Sequence, residues 1–490
     1  MNFTISLDAH LQSYRYKYLA LYHAIRSAIH EGTLRGGTRL PSSRELAEQY
    51  SLSRGIVAQA YDMLQAEGYV YSLAGSGTYI ADIILKPEVS CNQTASISLS
   101  SWGRRIIEPV ATQHHELAGT MDGQIHSKTM ISFQDGGPMM SAFPYKEWKS
   151  ALAWATRESS DSLSMAPDPA GDIELRQAIA AHLRRSRGIA AEPEQICLFN
   201  GSMQAIMLLT QLLLSEGEPA VLENPCYHGF SRAVHACGGV AVPAEIDAGG
   251  IIPRDWEARL LFVTPGRQFP TGSVLSPARR AEILSWAARV NAVIIEDDYD
   301  SEFRWRGRPL EPLKALDSED RVVYIGSFSK TMFASLRIGY AVIPRGIAAP
   351  LIRSKELYEP VSSGRIEQRA LAKFMIRGEY DRHLRRMRRI YGAKHELFRR
   401  LMEQEGMTNL FDLKSADAGL LVYAPWRLSP EQYHDFLHAA NDREVQFRDA
   451  AMYQIGIGPP AACFSLSHLE EDELKEGVFR LTMAWRDIQK

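Results

Sequence analysis

Ser327-Phe328-Ser329-Lys330 follows the apolar run Val322-Val323-Tyr324-Ile325, and Arg337 stands seven residues beyond the lysine. A lysine behind a strand, flanked by hydroxyls and an arginine, has the parts for imine chemistry beside a phosphate. The amine condenses with a carbonyl, Ser327 and Ser329 hydrogen-bond phosphate oxygens, and the Arg337 guanidinium supplies a permanent charge. A solvated lysine of no chemical consequence fits those residues too, so other segments must decide. In Ile294-Ile295-Glu296-Asp297-Asp298-Tyr299, carboxylates end a buried run, where open α/β sheets place their ligands. A buried Asp there can pair with a protonated pyridine nitrogen and keep the ring an electron sink. Glu296, Asp297, Asp298, Asp300 and Glu302 could instead hold a hard cation or be a solvated acid cluster. Asn200-Gly201-Ser202-Met203-Gln204 opens an apolar helix after the run 196–199, and a glycine-bearing helix N-terminus is an anion site. Asn224-Pro225-Cys226-Tyr227 follows another apolar run and puts an aromatic ring where a planar group could stack.

The elements that must position these residues are legible in the hydropathy pattern. From 131 onward, strand-length apolar runs such as Leu260-Leu261-Phe262-Val263 and Ala292-Val293-Ile294-Ile295 alternate with longer amphipathic segments. That alternation predicts an α/β domain whose mostly parallel sheet is covered on both faces. The last 130 or so residues are richer in helix and carry the basic stretch RHLRRMRR, residues 382–389.

Residues 14–82 read as a separate helical module. Ser42 or Ser43 caps a helix whose first turn carries Glu45, and a second helix from Arg54 repeats apolar positions at Val57, Ala60, Tyr61 and Leu64. Gly68 ends it. Two helices joined by about four residues are the helix-turn-helix arrangement, whose second helix can enter a major groove. Ala74-Gly75-Ser76-Gly77 then joins two short apolar runs as a hairpin. Residues 1–85 hold seven Lys+Arg and seven Asp+Glu, yet Arg35, Arg39, Arg44 and Arg54 fall within twenty residues. Phosphate contact needs such a local cluster rather than a basic total. A small helical domain with solvated arginines is the competing reading. Between the modules, 83–130 is rich in Ser, Thr, His and Gln without sustained periodicity, and predicts a linker.

Composition narrows the classes. The 490 residues carry 55 Lys+Arg against 58 Asp+Glu, a formal charge of -3, with 45% hydrophobic residues. This is an ordinary globular composition with room for about three domains. No apolar run approaches the roughly 20 residues of a membrane span. The N-terminal residues lack a basic segment followed by an apolar one, so no secretory signal is expected. Five widely spaced cysteines without a CxxC pair offer neither a disulfide framework nor an obvious zinc site, and suit a reducing, cytoplasmic location.

The string LPSSRELAEQYSLSRGIVAQAYDMLQAEGYVYSLAGSGTYI resembles the winged helix-turn-helix of GntR-family bacterial transcription regulators. The resemblance implies double-stranded promoter DNA as partner, contacted by Ser43, Arg44, Ser53 and Arg54, with Gly75, Gly77 and Thr78 in the wing. The ordered motifs DPAGDIELRQAI, NGSMQA, NPCYHGF, TPGRQFPTG, IIEDDYDSEF and SFSKTMFASLRIGY resemble a fold-type I, pyridoxal 5'-phosphate-dependent aminotransferase domain over 131–490, with a C-terminal α+β small domain. By that resemblance Lys330 forms the Schiff base, Asp297 pairs with the pyridine nitrogen, and Tyr299 bonds the phenolic oxygen. Tyr227 stacks on the ring, and Gly201, Ser202, Ser327, Ser329 and Arg337 hold the phosphate. No residue is assigned to a metal.

The departures from that pattern matter. Phe269 stands where the enzymes carry an Asn that tunes the phenolic oxygen; Gln268, one position earlier, is a candidate substitute. The Tyr expected near the Asp-Pro-x-Gly element is replaced by Met165-Ala166-Pro167, and 461–467 holds no Arg for a substrate carboxylate. Arg448, Arg267 and His228 are the candidate effector contacts. A winged helix joined by such a linker to an aminotransferase-like domain resembles the MocR subgroup of GntR regulators. That implies a cytoplasmic, homodimeric transcription factor sensing an amine-bearing effector. A working aminotransferase with an appended DNA-binding domain is the alternative, and a regulator with a cofactor-free domain the third reading. Members that answer to γ-aminobutyrate carry Arg two residues after the stacking Tyr. Gly229 stands there, which implies a different ligand, either another amine or pyridoxal phosphate itself.

Overall fold

The computed structural model describes residues 3–82, 98–108, 130–134, 136–162, 168–307, 310–413 and 417–489. The described chain forms two compact units, Met1–Ser98 and Leu99–Lys490. In the first, helices α1 (Asp8–Ser13), α2 (Lys17–His30), α3 (Ser43–Gln49) and α4 (Arg54–Ala66) precede strands β1 (Val70–Leu73) and β2 (Gly77–Ile80). The periodic positions Val57, Ala60, Tyr61 and Leu64 turn inward against Leu21, Ile25 and Leu46, giving the small unit its core. Ser42 is the cap residue of α3. Its hydroxyl accepts from the Glu45 amide at 3.2 Å, and its own amide donates to Glu45 at 2.7 Å, closing a capping box. Gly68, at φ +76°, lets the chain leave α4 in the left-handed conformation. The strands then pair antiparallel, Val70 opposite Ile80 and Leu73 opposite Gly77.

The second unit opens with α5 (Ser101–Ile107), a capped helix inside the stretch expected to be linker. The linker reading therefore fails over 101–107; the rest of 83–130, apart from 98–100, 108 and 130, lies outside the described residues. Polar composition hid the helix because its seven residues are too few to show a period.

The main sheet is built from β3 (Ile196–Phe199), β4 (Pro219–Asn224), β5 (Val240–Asp247), β6 (Gly250–Ile251), β7 (Leu260–Val263), β8 (Val293–Asp298), β9 (Val322–Ser327) and β10 (Gly339–Val342). Its order is β3-β10-β9-β8-β7-β4-β5-β6. Pairings β9–β8, β8–β7, β7–β4 and β4–β5 are parallel; β10 runs antiparallel between β9 and β3. The central strands are apolar along their length because helices cover both faces, and Leu260, Phe262, Ile295, Val323 and Ile325 share one buried cluster. Helix α6 (Ser202–Leu213) follows β3, and α7 (His228–Ala236) follows β4. A smaller C-terminal sheet joins β11 (Leu421–Pro425), β12 (Arg448–Asp449) and β13 (Ala461–Ser465), with its own aromatic core around Phe411, Phe436 and Phe464. Among the described residues, no helix is long and apolar enough to cross a membrane.

Candidate functional site

In the small unit, Ser53 caps α4, its hydroxyl accepting from the Ile56 amide at 3.3 Å. Its oxygen therefore already has a structural partner, which the motif alone did not reveal. Ser43 is half-buried in the first turn of α3, while Arg44 and Arg54 are exposed at the starts of α3 and α4. Gly75, at φ +73°, meets open space at the hairpin tip. Gly77, at φ +123°, lies against Arg39, and a Cβ there would come within 2.8 Å of the guanidine Nε. Glycine thus admits one arginine of the cluster alongside the wing.

In the large unit the expected residues converge at the C-terminal ends of the parallel strands. β8 delivers Asp297 and Tyr299, and β9, in register with Asp297 beside Ile325, delivers Ser327 to Lys330. β3 leads to Gly201 and Ser202, and β4 leads to Tyr227. The two phosphate-type loops are locked together. Arg337 adopts the left-handed conformation (φ +51°) and donates to the Asn200 carbonyl at 2.9 Å. A Cβ on Gly201 would lie 2.5 Å from that guanidinium, and one on Gly339 would lie 2.9 Å from the Ser202 amide. Both glycines are required by this crossing. It brings a fixed positive charge to the free amides at the start of α6. Ser327 accepts from the Ser329 amide at 3.2 Å, folding the serines toward the same corner. A further brace comes from Glu359, which accepts from Asn200 and Gln204 at 3.2 Å each and sits 3.4 Å from the buried Lys355.

Lys330 donates to the Gly136 carbonyl at 2.6 Å, so the loop at Gly136 lies against the amine. Asp297 is buried, and no hydrogen-bond donor meets its carboxylate among the described residues. Burial, then the neighbouring Asp298 and Asp300, pushes it up to about 7. The Tyr299 hydroxyl is buried beside Arg267 with no well-formed hydrogen bond. Burial first, then Asp300, drives it well above its ordinary value. Tyr227 packs edge-on to Phe269 at 6.0 Å and Phe230 at 5.6 Å.

These features fit a pyridinium phosphate. A lone buried carboxylate wants a cationic partner, an orphaned phenol wants an anionic oxygen, and the Arg337–Gly201–Ser202 corner wants a phosphate.

The other acids of the β8 run have separate partners, which disperses the cation-binding alternative. Glu296 accepts from the Leu313 and Lys314 amides at 2.9 Å. Asp298 accepts from Tyr324 at 2.6 Å, Asp300 pairs with Arg267 at 3.0 Å, and Glu302 pairs with Arg187 and with His182 at 3.4 Å.

Two sequence expectations fail here. Gln268 does not replace the missing Asn: its amide nitrogen donates to Phe269 O at 2.6 Å and Pro225 O at 2.7 Å, while its oxygen accepts from Thr271 at 2.6 Å. Phe269 itself fills the position, edge-on to Tyr299 at 5.4 Å and to Tyr453 at 4.8 Å. Arg267 is no effector clamp, because Asp300 and the Leu421 carbonyl (2.7 Å) take its guanidinium inside the fold. His228 stacks near Tyr453 at 6.1 Å, and Arg448 donates to the Tyr453 hydroxyl at 3.0 Å. Tyr453 was missed by sequence reasoning, since no motif surrounds it. Arg448 lies directly opposite Cys463 across β12 and β13, so a cation from the neighbouring strand faces the arginine-free stretch. Met165, Ala166 and Pro167 lie outside the described residues.

The profile "Bacterial regulatory proteins, gntR family" matches residues 17–80, and "Aminotransferase class I and II" matches 137–484. The probable rhizopine catabolism regulatory protein MocR of Rhizobium meliloti is 34% identical over 481 residues, covering 96% of this chain and 94% of that protein. The chain is a GntR-family regulator of the MocR type. The pyridoxine biosynthesis regulator PdxR of Corynebacterium glutamicum is 32% identical, covering 77% of each chain. Among solved structures, the fold matches the kynurenine aminotransferase of Pyrococcus horikoshii (TM-score 0.69, 22% identity, 74% of this chain and 92% of that one). It also matches LysN, the α-aminoadipate aminotransferase of Thermus thermophilus (TM-score 0.68, 24% identity, 80% and 98%). This MocR-type chain thus joins a DNA-binding winged helix to a pyridoxal phosphate-binding, fold-type I aminotransferase-like domain, and its close curated relatives are named as transcription regulators.

Proposed function

We propose that this protein is a cytoplasmic, homodimeric transcription factor that binds promoter DNA and reads an amine-bearing effector at its pyridoxal phosphate site, without enzymatic turnover. The observation that carries this reading is the Asp297–Tyr299–Lys330 constellation, facing the Arg337–Gly201 corner, in a chain that also holds a capped winged helix. When bound, the cofactor supplies an aldehyde that exchanges one amine for another. The chain's own residues do the rest. Lys330 would hold the cofactor through its aldehyde group, Asp297 would pair with the ring nitrogen, Tyr227 would pack on the ring, and Ser202, Ser327, Ser329 and Arg337 would anchor the phosphate. Phe269 removes the hydrogen bond by which the enzymes tune the phenolic oxygen, which supports sensing over turnover. Arg448 with His228 and Tyr453 is the surface that would meet the effector's far end.

The test is an absorbance titration of purified protein with amines, amino acids and D-amino-acid dipeptides, followed by promoter-DNA binding with each responsive compound. A compound that shifts both the spectrum and DNA affinity is the effector. γ-Aminobutyrate should do neither at micromolar concentration. Steady release of a keto acid from any of these amines would favour the aminotransferase alternative.

A further inference from the structure

Helix α7 joins two places that the sequence gives no reason to connect. Its N-cap residue is Tyr227, whose ring packs edge-on to Phe269, and its first residue is His228, stacked near Tyr453. Gly229 lets the Tyr227 ring lie against the helix: a Cβ there would sit 2.3 Å from the ring and 2.5 Å from Met203 Sδ. Phe230, Ala233 and Val234 are fully buried, so the nine residues of α7 move as one packed rod of roughly 14 Å. At the far end the Ala236 carbonyl is held by α5. Arg105 Nε donates to it at 3.2 Å, and Arg105 Nη1 pairs with Glu216 at 3.1 Å. The guanidinium also passes close over Gly238, where a Cβ would approach it to 3.2 Å, and Gly103 of α5 is buried. A cation on a helix's terminal carbonyl satisfies an orphan acceptor and complements the dipole.

Among the described residues, α5 is also the first helix of the large unit.

We propose that α7 carries the state of the cofactor site to α5: a ring stacked on Tyr227 fixes the start of α7, firms its far end, and holds α5 docked through Arg105 on the Ala236 carbonyl. This rests on the proposed cofactor contacts of Tyr227.

Hydrogen exchange on the full-length protein, cofactor-free and after loading with pyridoxal phosphate, tests it, with visible absorbance reporting loading. Loading should slow exchange at least about threefold in 228–236 and also in 101–107. In Arg105→Ala, the 228–236 response should persist and the 101–107 response should vanish. A loaded wild-type protein whose 101–107 amides exchange as before would overturn the coupling while leaving the cofactor reading intact. Full 101–107 protection in loaded Arg105→Ala would overturn it as well. Absence of the visible band overturns the cofactor reading and the coupling with it.

Discussion

At the residue scale the large unit's chemistry depends on Lys330 and Asp297, and each makes a separate prediction. Lys330→Ala should fold, because the amine donates to a loop carbonyl rather than bracing a core element, and after dialysis it should lose the yellow colour that the wild type keeps. A mutant that retains the full visible band would place the Schiff base elsewhere. Asp297→Asn is isosteric but cannot carry the charge that a protonated ring nitrogen needs. Losing a charge-assisted hydrogen bond worth about 1.5–3 kcal/mol should weaken cofactor binding roughly tenfold to hundredfold, read by absorbance titration. The cofactor-free protein offers a further check. Burial pushes Glu223, Glu296 and Asp297 each up to about 7, from ordinary values of 4.5, 4.5 and 3.8. The folded state therefore holds these protons more tightly than the unfolded chain. Their stabilising contribution is complete below about pH 4, is lost as pH rises to about 7, and changes little beyond. Glu302 acts in the opposite sense. Burial raises it, but Arg187 and His182 hold it down to about 2, so its contribution is present above about pH 4.5 and disappears on acidification. Denaturant midpoints of the cofactor-free protein should thus fall between pH 5 and 7, and the fall should be shallower in Asp297→Asn.

The helix is the scale at which DNA recognition is decided. α3 and α4 both begin on a serine cap that satisfies one first-turn amide each, and their first turns present Arg44 and Arg54 to solvent. Each arginine replaced by Ala should cost about 1–3 kcal/mol of promoter affinity, the upper end if it reads a base edge. A phosphate contact would instead weaken all sequences alike and reduce the salt slope by about one. Titrations at several salt concentrations separate these outcomes, and unchanged affinity in both variants would move the DNA-binding surface off these helices.

For the molecule as a whole, two compact units imply two responses to one ligand. Pyridoxal phosphate at 100 times its dissociation constant should stabilise the unit that binds it by about 2.7 kcal/mol. The protection of α2 and α4 against hydrogen exchange should stay unmoved while that of β8 and β9 rises. Equal stabilisation of both units on loading would mean that they unfold as one.

The sequence by itself determined the parts whose logic is local. The Ser42–Glu45 cap, the i, i+3, i+4, i+7 face of α4, the glycine stop at Gly68 and the lysine behind a buried strand all lie within a turn or two of chain. Short-range spacing and backbone sterics suffice to specify them. The four segments of the cofactor corner were legible for the same reason: each is a strand end followed by its own loop. What the tertiary structure decided involves partners far apart in the chain. Arg267 was open to an effector role until Asp300 and Leu421, 33 and 154 residues away, took its guanidinium. Gln268 was a candidate tuner until Pro225, 43 residues back, took its amide. Tyr453 gained meaning only by meeting Phe269 and His228, and Arg105 only by reaching Ala236, 131 residues on. A polar side chain's role depends on which partner reaches it first in the packed interior. That competition is settled by the fold's long-range contacts, which residue type and local spacing do not encode.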